Sequence, residues 1–420
     1  MDIVLPGDRD YPGLQHVYSA TGAPAAVARP RSAEEVAEAL AFARSQDGPM
    51  SIRSGGHGIS SIATNDGGTV IDLGLLRAVD RIGDTVVRLE PGARWGEVAR
   101  RLAPWGLAIT SGDSGDVGVG GLGTTGGIGL LGRLQGLTID RVRAAEIVTA
   151  DGIVRRVSDE VEPDLFWAVR GAGANVGIVT ALEVEAGSTA VVAQATAVYD
   201  LQNPARFLEE WGRTLEAAPR TVSAFLYISA GFRPMAQATI VVATAVEEEA
   251  VAGIEPFLML PGLSGRRAAL VSYADVPTMS GAPHSGQQSA RSHSGLAVHL
   301  DASVSRELAR LVEGGAVDMV QVRSMGGAMG DVDPRATAFA HRHQQFSIMA
   351  VSGRGGPQFD EAWGRARHAM DGMYLSFESA HGAGDLVRAF PEPTLSRLRT
   401  IKGRWDPEGV FSQNFDVTER

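Results

Sequence analysis

Cysteine is absent from all 420 residues of the chain, and that one absence removes disulfides, thiolate nucleophiles, zinc–cysteine sites and iron–sulfur clusters together. Lysine is nearly absent: Lys402 is the only one among 38 basic residues, so Schiff-base chemistry has a single address. A basic surplus is missing too. With a formal charge of −11, the chain has no excess of cations to neutralise phosphates, and neither a nucleic acid nor an anionic membrane is expected as partner. No apolar run reaches about 18 residues. The opening MDIVLPGDRDYP lacks the basic and apolar regions of a secretory leader, so a soluble cytoplasmic protein is expected.

What the chain has is length, 44% apolar residues and 52 glycines. That is enough to bury two cores, and two domains are expected. Residues 50–58 read MSIRSGGHG, a short apolar run that delivers a glycine pair and one histidine to the end of a strand. Glycines there turn N–H groups toward an anion and let it approach closely, and a dinucleotide diphosphate is such an anion. The same nine residues also describe an ordinary turn beside a solvated histidine.

A second glycine region gives the first a partner. Residues 112–132 hold ten glycines, with Val117, Val119, Leu122, Ile128, Leu130 and Leu131 between them. A flexible linker would carry serine and polar residues instead. The pattern predicts glycines facing a ligand or a close backbone contact while the aliphatics pack inward. Gly118, Gly120 and Gly123 spell G-x-G-x-x-G, yet TTGGIGLLG follows, a poor helix, so the Rossmann reading fails; no Lys-Ser or Lys-Thr follows for a P-loop.

Around these regions the chain reads as α+β. Ser32 caps a helix with Glu35 at the capping-box position and Val36, Leu40 and Ala43 on one face. Strands are predicted at 51–53, 69–73 and 85–89, a hairpin at Asp151-Gly152, and beyond Ala186 strands at 191–199, 222–228, 239–244, 319–323 and 346–351 between helices near 204–217, 246–259, 302–313 and 358–372. This second half reads as an antiparallel sheet backed by helices. The polar stretch 280–294 reads as a mobile loop.

Several segments together resemble the berberine bridge enzyme-like branch of the vanillyl alcohol oxidase superfamily, with its PCMH-type FAD-binding domain. They are RSGGH at 53–57, NDGG at 65–68, VIDL at 70–73, VGVGGL at 117–122, GGIG at 126–129, ADG at 150–152, PDLFWAVRGAG at 163–173, GIVT at 177–180 and WDPEGVFSQN at 405–414. The resemblance implies an FAD-binding domain of two α+β halves at 1–188, a substrate domain at 189–384 and a carboxy-terminal segment at 385–420 that returns to the FAD domain. It implies FAD attached covalently through His57, with Arg53, Ser54, Gly55, Gly56, Gly58 and Ser60 about the diphosphate. Ser111, Val117, Gly118, Gly121, Thr125, Gly127 and Ile128 then form a second wall, Val179 lies near the adenine and Asn414 near the ring system. Many relatives add a second bond from a cysteine just before VGVGG. Residues 111–116 hold none.

Such an enzyme needs a base within hydrogen-bond reach of the O–H or N–H proton beside the reacting C–H, and no metal. Tyr374 is the first candidate, because 373–377 resembles the family's Tyr-x-Asn-Phe strand, with Ser376 in place of Asn. Glu378, four residues on, is expected on the same strand face, and His341 and His343 are expected to share a face before the next strand. A sheet tyrosine with a satisfied hydroxyl, an exposed strand-end carboxylate and solvated histidines are the plainer alternatives. The expected reaction is oxidation of a small alcohol, amine or natural-product intermediate, by hydride transfer to flavin N5 with dioxygen or another acceptor. A flavoprotein performing a non-redox cyclisation, one without turnover, and a glycine-rich scaffold without cofactor are the competing readings. Substrate and oligomeric state are not legible.

Overall fold

The computed structural model describes residues 1–280, 282–286, 290–379, 382–413 and 415–418. Among the described residues, strands form three sheets. The first holds β1 (Asp2–Val4), β2 (Ala26–Arg29), β3 (Met50–Arg53) and β4 (Thr69–Asp72), in the order β1-β2-β4-β3, with β3 and β2 both parallel to β4. The helix Ala33–Ser45 covers it. Its Ser32 side chain accepts the Glu35 N–H at 3.2 Å, and Val36, Ala39, Leu40 and Ala43 are buried, as the apolar spacing requires. Parallel β3 ends inside the molecule, which delivers residues 54–58 to an interior edge.

The second sheet holds β5 (Val79–Arg81), β6 (Val86–Leu89), β7 (Val142–Val148), β8 (Val154–Ser158) and β9 (Ile178–Glu185), ordered β5-β6-β9-β7-β8. β7 and β8 form the hairpin signalled by Asp151-Gly152, where Gly152 takes φ +77°. The helix Pro163–Ala172 buries Phe166 and Trp167 against this sheet's core. Leu395, Leu398 and Ile401 of the helix Thr394–Trp405 join the same core, so this helix packs on the second sheet.

The third sheet is antiparallel: β10 (Val191–Asp200), β11 (Val222–Ser229), β12 (Met235–Val242), β13 (Leu263–Ser272), β14 (Arg291–Ala297), β15 (Met319–Ser324) and β16 (Phe346–Ser352), ordered β13-β10-β12-β11-β15-β16-β14. Period-2 alternation gives it two faces. Ala224, Leu226, Val320, Val322, Ile348 and Ala350 pack against helices Pro204–Ala217, Ala302–Glu313 and Pro357–Ala366. The opposite face turns Phe225, Tyr227, Gln321, Arg323 and Met349 toward the other two sheets.

Two expectations are corrected here. The stretch 280–294 is not one loop, because from Arg291 it is β14, paired along its length with β16; Ser292 and Ser294 bond to the 374–379 segment, which satisfies a polar strand inside the protein. Residues 373–377 are not a strand, since Leu375–Phe377 is a 3-10 turn.

Candidate active site

The end of β3 and the loop 112–121 meet backbone to backbone. A Cβ on Gly55 would stand 2.5 Å from the Gly118 amide nitrogen, so both positions demand glycine. Gly56, at φ +67°, then turns the chain. The Gly120 N–H donates to Ser54 Oγ at 3.2 Å, and that hydroxyl donates in turn to the Pro91 carbonyl. Beside the joint runs a trough that opens to solvent. One wall is residues 54–60 and another 117–125, with Ile178 and Val179 at one end; Gln321, Arg323, Met349, Tyr374 and Phe377 form the side contributed by the third sheet and its neighbour.

This lining fits a dinucleotide. Two glycine loops leave backbone exposed along one length, and a Cβ on Gly58 or Gly121 would meet nothing within 4 Å. Apolar Ile52, Leu73, Val117, Ile178 and Val179 supply surface for flat rings.

His57 is half-buried in the first wall. Its Nε2 lies 3.3 Å from Ser114 Oγ, its ring stacks on Tyr18 at 4.2 Å, and His284 meets both rings edge-on, 5.4 Å from His57. Burial and the neighbouring His284 hold the His57 imidazole below its ordinary pKa, against the opposing pull of Asp116. It is therefore neutral at neutral pH. Asp116 itself is raised by burial, but the Ser280 N–H and hydroxyl, Arg94 and His57 outweigh that and leave it below the usual carboxylate range.

Opposite, Arg323 is buried between two rings, its guanidinium 4.6 Å from the Phe225 centroid and 4.5 Å from Phe377. Its Nη2 donates to Asp113 Oδ1 at 2.6 Å, and the Tyr227 hydroxyl donates to Asp113 Oδ2. Gln321 is buried, with Oε1 lacking a protein partner among the described residues. In a cavity wall such an acceptor is satisfied by water or by a ligand's N–H or O–H. The Tyr374 hydroxyl oxygen accepts the Gly127 N–H at 2.9 Å, and Ser376 Oγ lies 2.9 Å from Thr125 Oγ1.

Of the residues singled out in the sequence, Ser54, Gly55, Gly56, His57, Gly58, Ser60, Val117, Gly118, Gly121, Thr125, Ile128, Val179 and Tyr374 line the trough. Arg53 does not. It is buried behind β3, donating to the Leu14 carbonyl at 2.7 Å and pairing with Asp72, because the inward-facing end of β3 needs those partners. Ser111 is buried behind the second wall, and Gly127 reaches the site only through its N–H to Tyr374.

Glu378 and His341 are corrected as candidate bases. The 3-10 turn breaks the two-residue period, so Tyr374 enters the trough while Glu378 turns away to His293 Nδ1 (2.9 Å) and the Ser294 N–H (3.0 Å). His341 is buried, Nε2–H donating to the Arg388 carbonyl at 2.9 Å, and burial pushes its pKa down to about 4. His343 does not share its face but stays exposed near Asp371, because 341–345 is irregular chain. Asn414 lies outside the described residues.

The sequence reading missed Asp113, Gln321, Arg323, Tyr18 and His284. A signal existed for two of them: VQVRS at 320–324 places polar residues at alternate positions of a run otherwise fit for a core. Tyr18 and His284 lie 266 positions apart in the chain, and nothing local links them.

Residues 24–158 match the FAD binding domain family. An (R)-6-hydroxynicotine oxidase of Paenarthrobacter nicotinovorans is 34% identical over 188 residues, covering 44% of this chain and 41% of that protein, so less than half of either is compared. The FAD-linked oxidoreductase tazG of Aspergillus terreus is 28% identical over 442 residues, covering 95% of this chain and 88% of the relative. Among solved structures, the glucooligosaccharide oxidase of Acremonium strictum superposes with a TM-score of 0.85 at 21% identity, covering 99% of this chain and 96% of that one, a likeness of fold. The flavin of that oxidase is described as a 6-S-cysteinyl, 8α-N1-histidyl FAD.

Proposed function

We propose that the chain is an FAD-linked oxidoreductase of the vanillyl alcohol oxidase superfamily, a reading supported by the FAD binding domain match over residues 24–158, and that it oxidises a small alcohol, amine or natural-product intermediate with FAD joined to His57. FAD supplies the hydride acceptor at N5, and dioxygen is the proposed final oxidant. Residues 54–58 and 117–121 would hold the diphosphate, and the Gln321–Arg323–Met349 wall would face the ring system and the substrate. Attachment through histidine alone is supported by the cysteine-free sequence and by the neutral, half-buried imidazole of His57.

The observation that carries the reading is the Tyr374 hydroxyl inside the trough. The Gly127 N–H donates to its oxygen, which stabilises a developing phenolate and leaves the O–H directed elsewhere, so the group is built to exchange a proton with a substrate hydroxyl or amine. Gln321 Oε1 adds an acceptor that orients a second donor of the substrate. The Phe225 and Phe377 rings pack on the Arg323 guanidinium and make the middle of that wall largely apolar. Anaerobic mixing of the purified protein with a panel of alcohols and amines tests this: loss of oxidised-flavin absorbance with one of them, and its return on admitting air, is the expected result. Flavin that no member reduces, alongside turnover of a substrate without any redox change, contradicts it.

A further inference from the structure

His57 stands between two rings that come from widely separated parts of the chain. Tyr18, on the amino-terminal arm, stacks on it nearly parallel, with 12° between the planes. His284 closes the edge at 77°. Both are anchored. The Tyr18 N–H donates to the Gly56 carbonyl at 2.8 Å, and His284 Nε2–H donates to the Gly55 carbonyl at 3.0 Å. His284 rides on a strap from the third sheet that is pinned to the FAD-binding half: the Thr278 N–H bonds the Asp113 carbonyl at 3.0 Å, the Ser280 N–H bonds Asp116 Oδ2 at 2.7 Å, and the Gly286 N–H bonds the Val17 carbonyl at 3.1 Å.

We infer that Tyr18 and His284 are positioning residues for flavin attachment, a clamp that fixes the His57 ring until it is joined to FAD. This rests on the reading of His57 as the attachment point. In the joining step a His57 nitrogen forms a bond to the 8α carbon of FAD. The imidazole N–H and one 8α C–H break, the electron pair and both protons pass to the flavin ring, and dioxygen then removes them as hydrogen peroxide. Only an imidazole with a free lone pair can make that bond, and a stacked ring loses little freedom in doing so. The groups that face His57 and set its charge are His284, Asp116 and Arg94, with Ser114 and Tyr18 in contact. His284, itself held below the ordinary histidine pKa by burial, opposes protonation of His57 when it carries a proton, as Arg94 does, while Asp116 favours it.

The test uses apoprotein from flavin-starved cells, incubated with FAD at pH 5.5 to 8, then acid-precipitated, with flavin measured in pellet and supernatant. Wild type is expected to hold its flavin in the pellet. Tyr18→Ala and His284→Gln should bind FAD yet attach it at least tenfold more slowly, with the pH midpoint of attachment raised in His284→Gln. Tyr18→Phe should restore the wild-type rate, since it keeps the stacked ring. Attachment in Tyr18→Ala and His284→Gln at the wild-type rate and pH midpoint overturns the clamp alone. Flavin still pelleting with His57→Ala overturns the attachment reading instead, and the two failures are told apart by that variant.

Discussion

Arg323 Nη2 and Asp113 Oδ1 lie 2.6 Å apart and join the third sheet to the glycine loop that carries Ser114 beneath His57. Asp113 also accepts the Tyr227 hydroxyl, so one carboxylate from the FAD-binding half organises two polar side chains of the opposite wall. Asp113→Asn leaves a buried guanidinium without its counter-charge, and a loss of about 2–3 kcal/mol of stability is expected. Urea unfolding of Asp113→Asn, Arg323→Met and the double variant checks this. The double variant should be more stable than the sum of the singles implies, and strict additivity would count against the pair.

Tyr374→Phe removes the hydroxyl and keeps the ring that packs against Phe339 and Phe377. FAD content should be unchanged, while the rate of anaerobic flavin reduction by a substrate falls by about 10²–10⁴-fold. Stopped-flow absorbance measures it, and reduction at the wild-type rate removes Tyr374 from the chemistry.

The single lysine is structural. Lys402 Nζ is buried and donates to Asp406 Oδ2 at 2.7 Å and to the carbonyls of Asn175 and Phe411 at 2.9 and 2.7 Å, tying the carboxy-terminal helix to the turn before β9. Lys402→Met strands the Asp406 charge and should cost about 3–5 kcal/mol. Thermal and urea unfolding report it, and a variant as stable as wild type would contradict the assignment.

His341 gives the fold an acid limit. Burial places its folded pKa near 4 against an ordinary value of 6.5, so between those values the unfolded chain binds the extra proton and stability falls as pH falls. The loss is complete near pH 4 and amounts to about 3 kcal/mol at most. His341→Gln keeps a donor for the Arg388 carbonyl without a titrating group. Its unfolding free energy should fall less steeply between pH 6.5 and 4, and an unchanged slope would place the acid sensitivity elsewhere.

Local chemistry made much of this fold legible. The helix Ala33–Ser45, the hairpin at Gly152 and strands β10, β11, β15 and β16 follow from caps, turn residues and periodicity within a dozen positions. The glycine joint was legible because Gly55 and Gly118 each lie in a segment where little but glycine serves. The wall opposite the glycine loops was less so. Period 2 predicted that Tyr374 and Glu378 share a face, and a three-residue 3-10 turn undid it. Arg53 looked like a diphosphate ligand because it precedes the glycines, whereas its burial beside Asp72 is decided by a strand 19 positions away. The partners of His57 were invisible because contacts such as His284 to Gly55 span 229 positions, a separation over which no sequence pattern carries a register.

The central claim is that His57 holds the flavin. Trypsin cuts after Arg53 and Arg77 and releases peptide 54–77, which contains His57. Mass spectrometry of that peptide from the purified protein should find it heavier by FAD less two hydrogens, with the added mass fragmenting from His57. The unmodified peptide from a protein that carries FAD, or the added mass on any other peptide, would contradict the account.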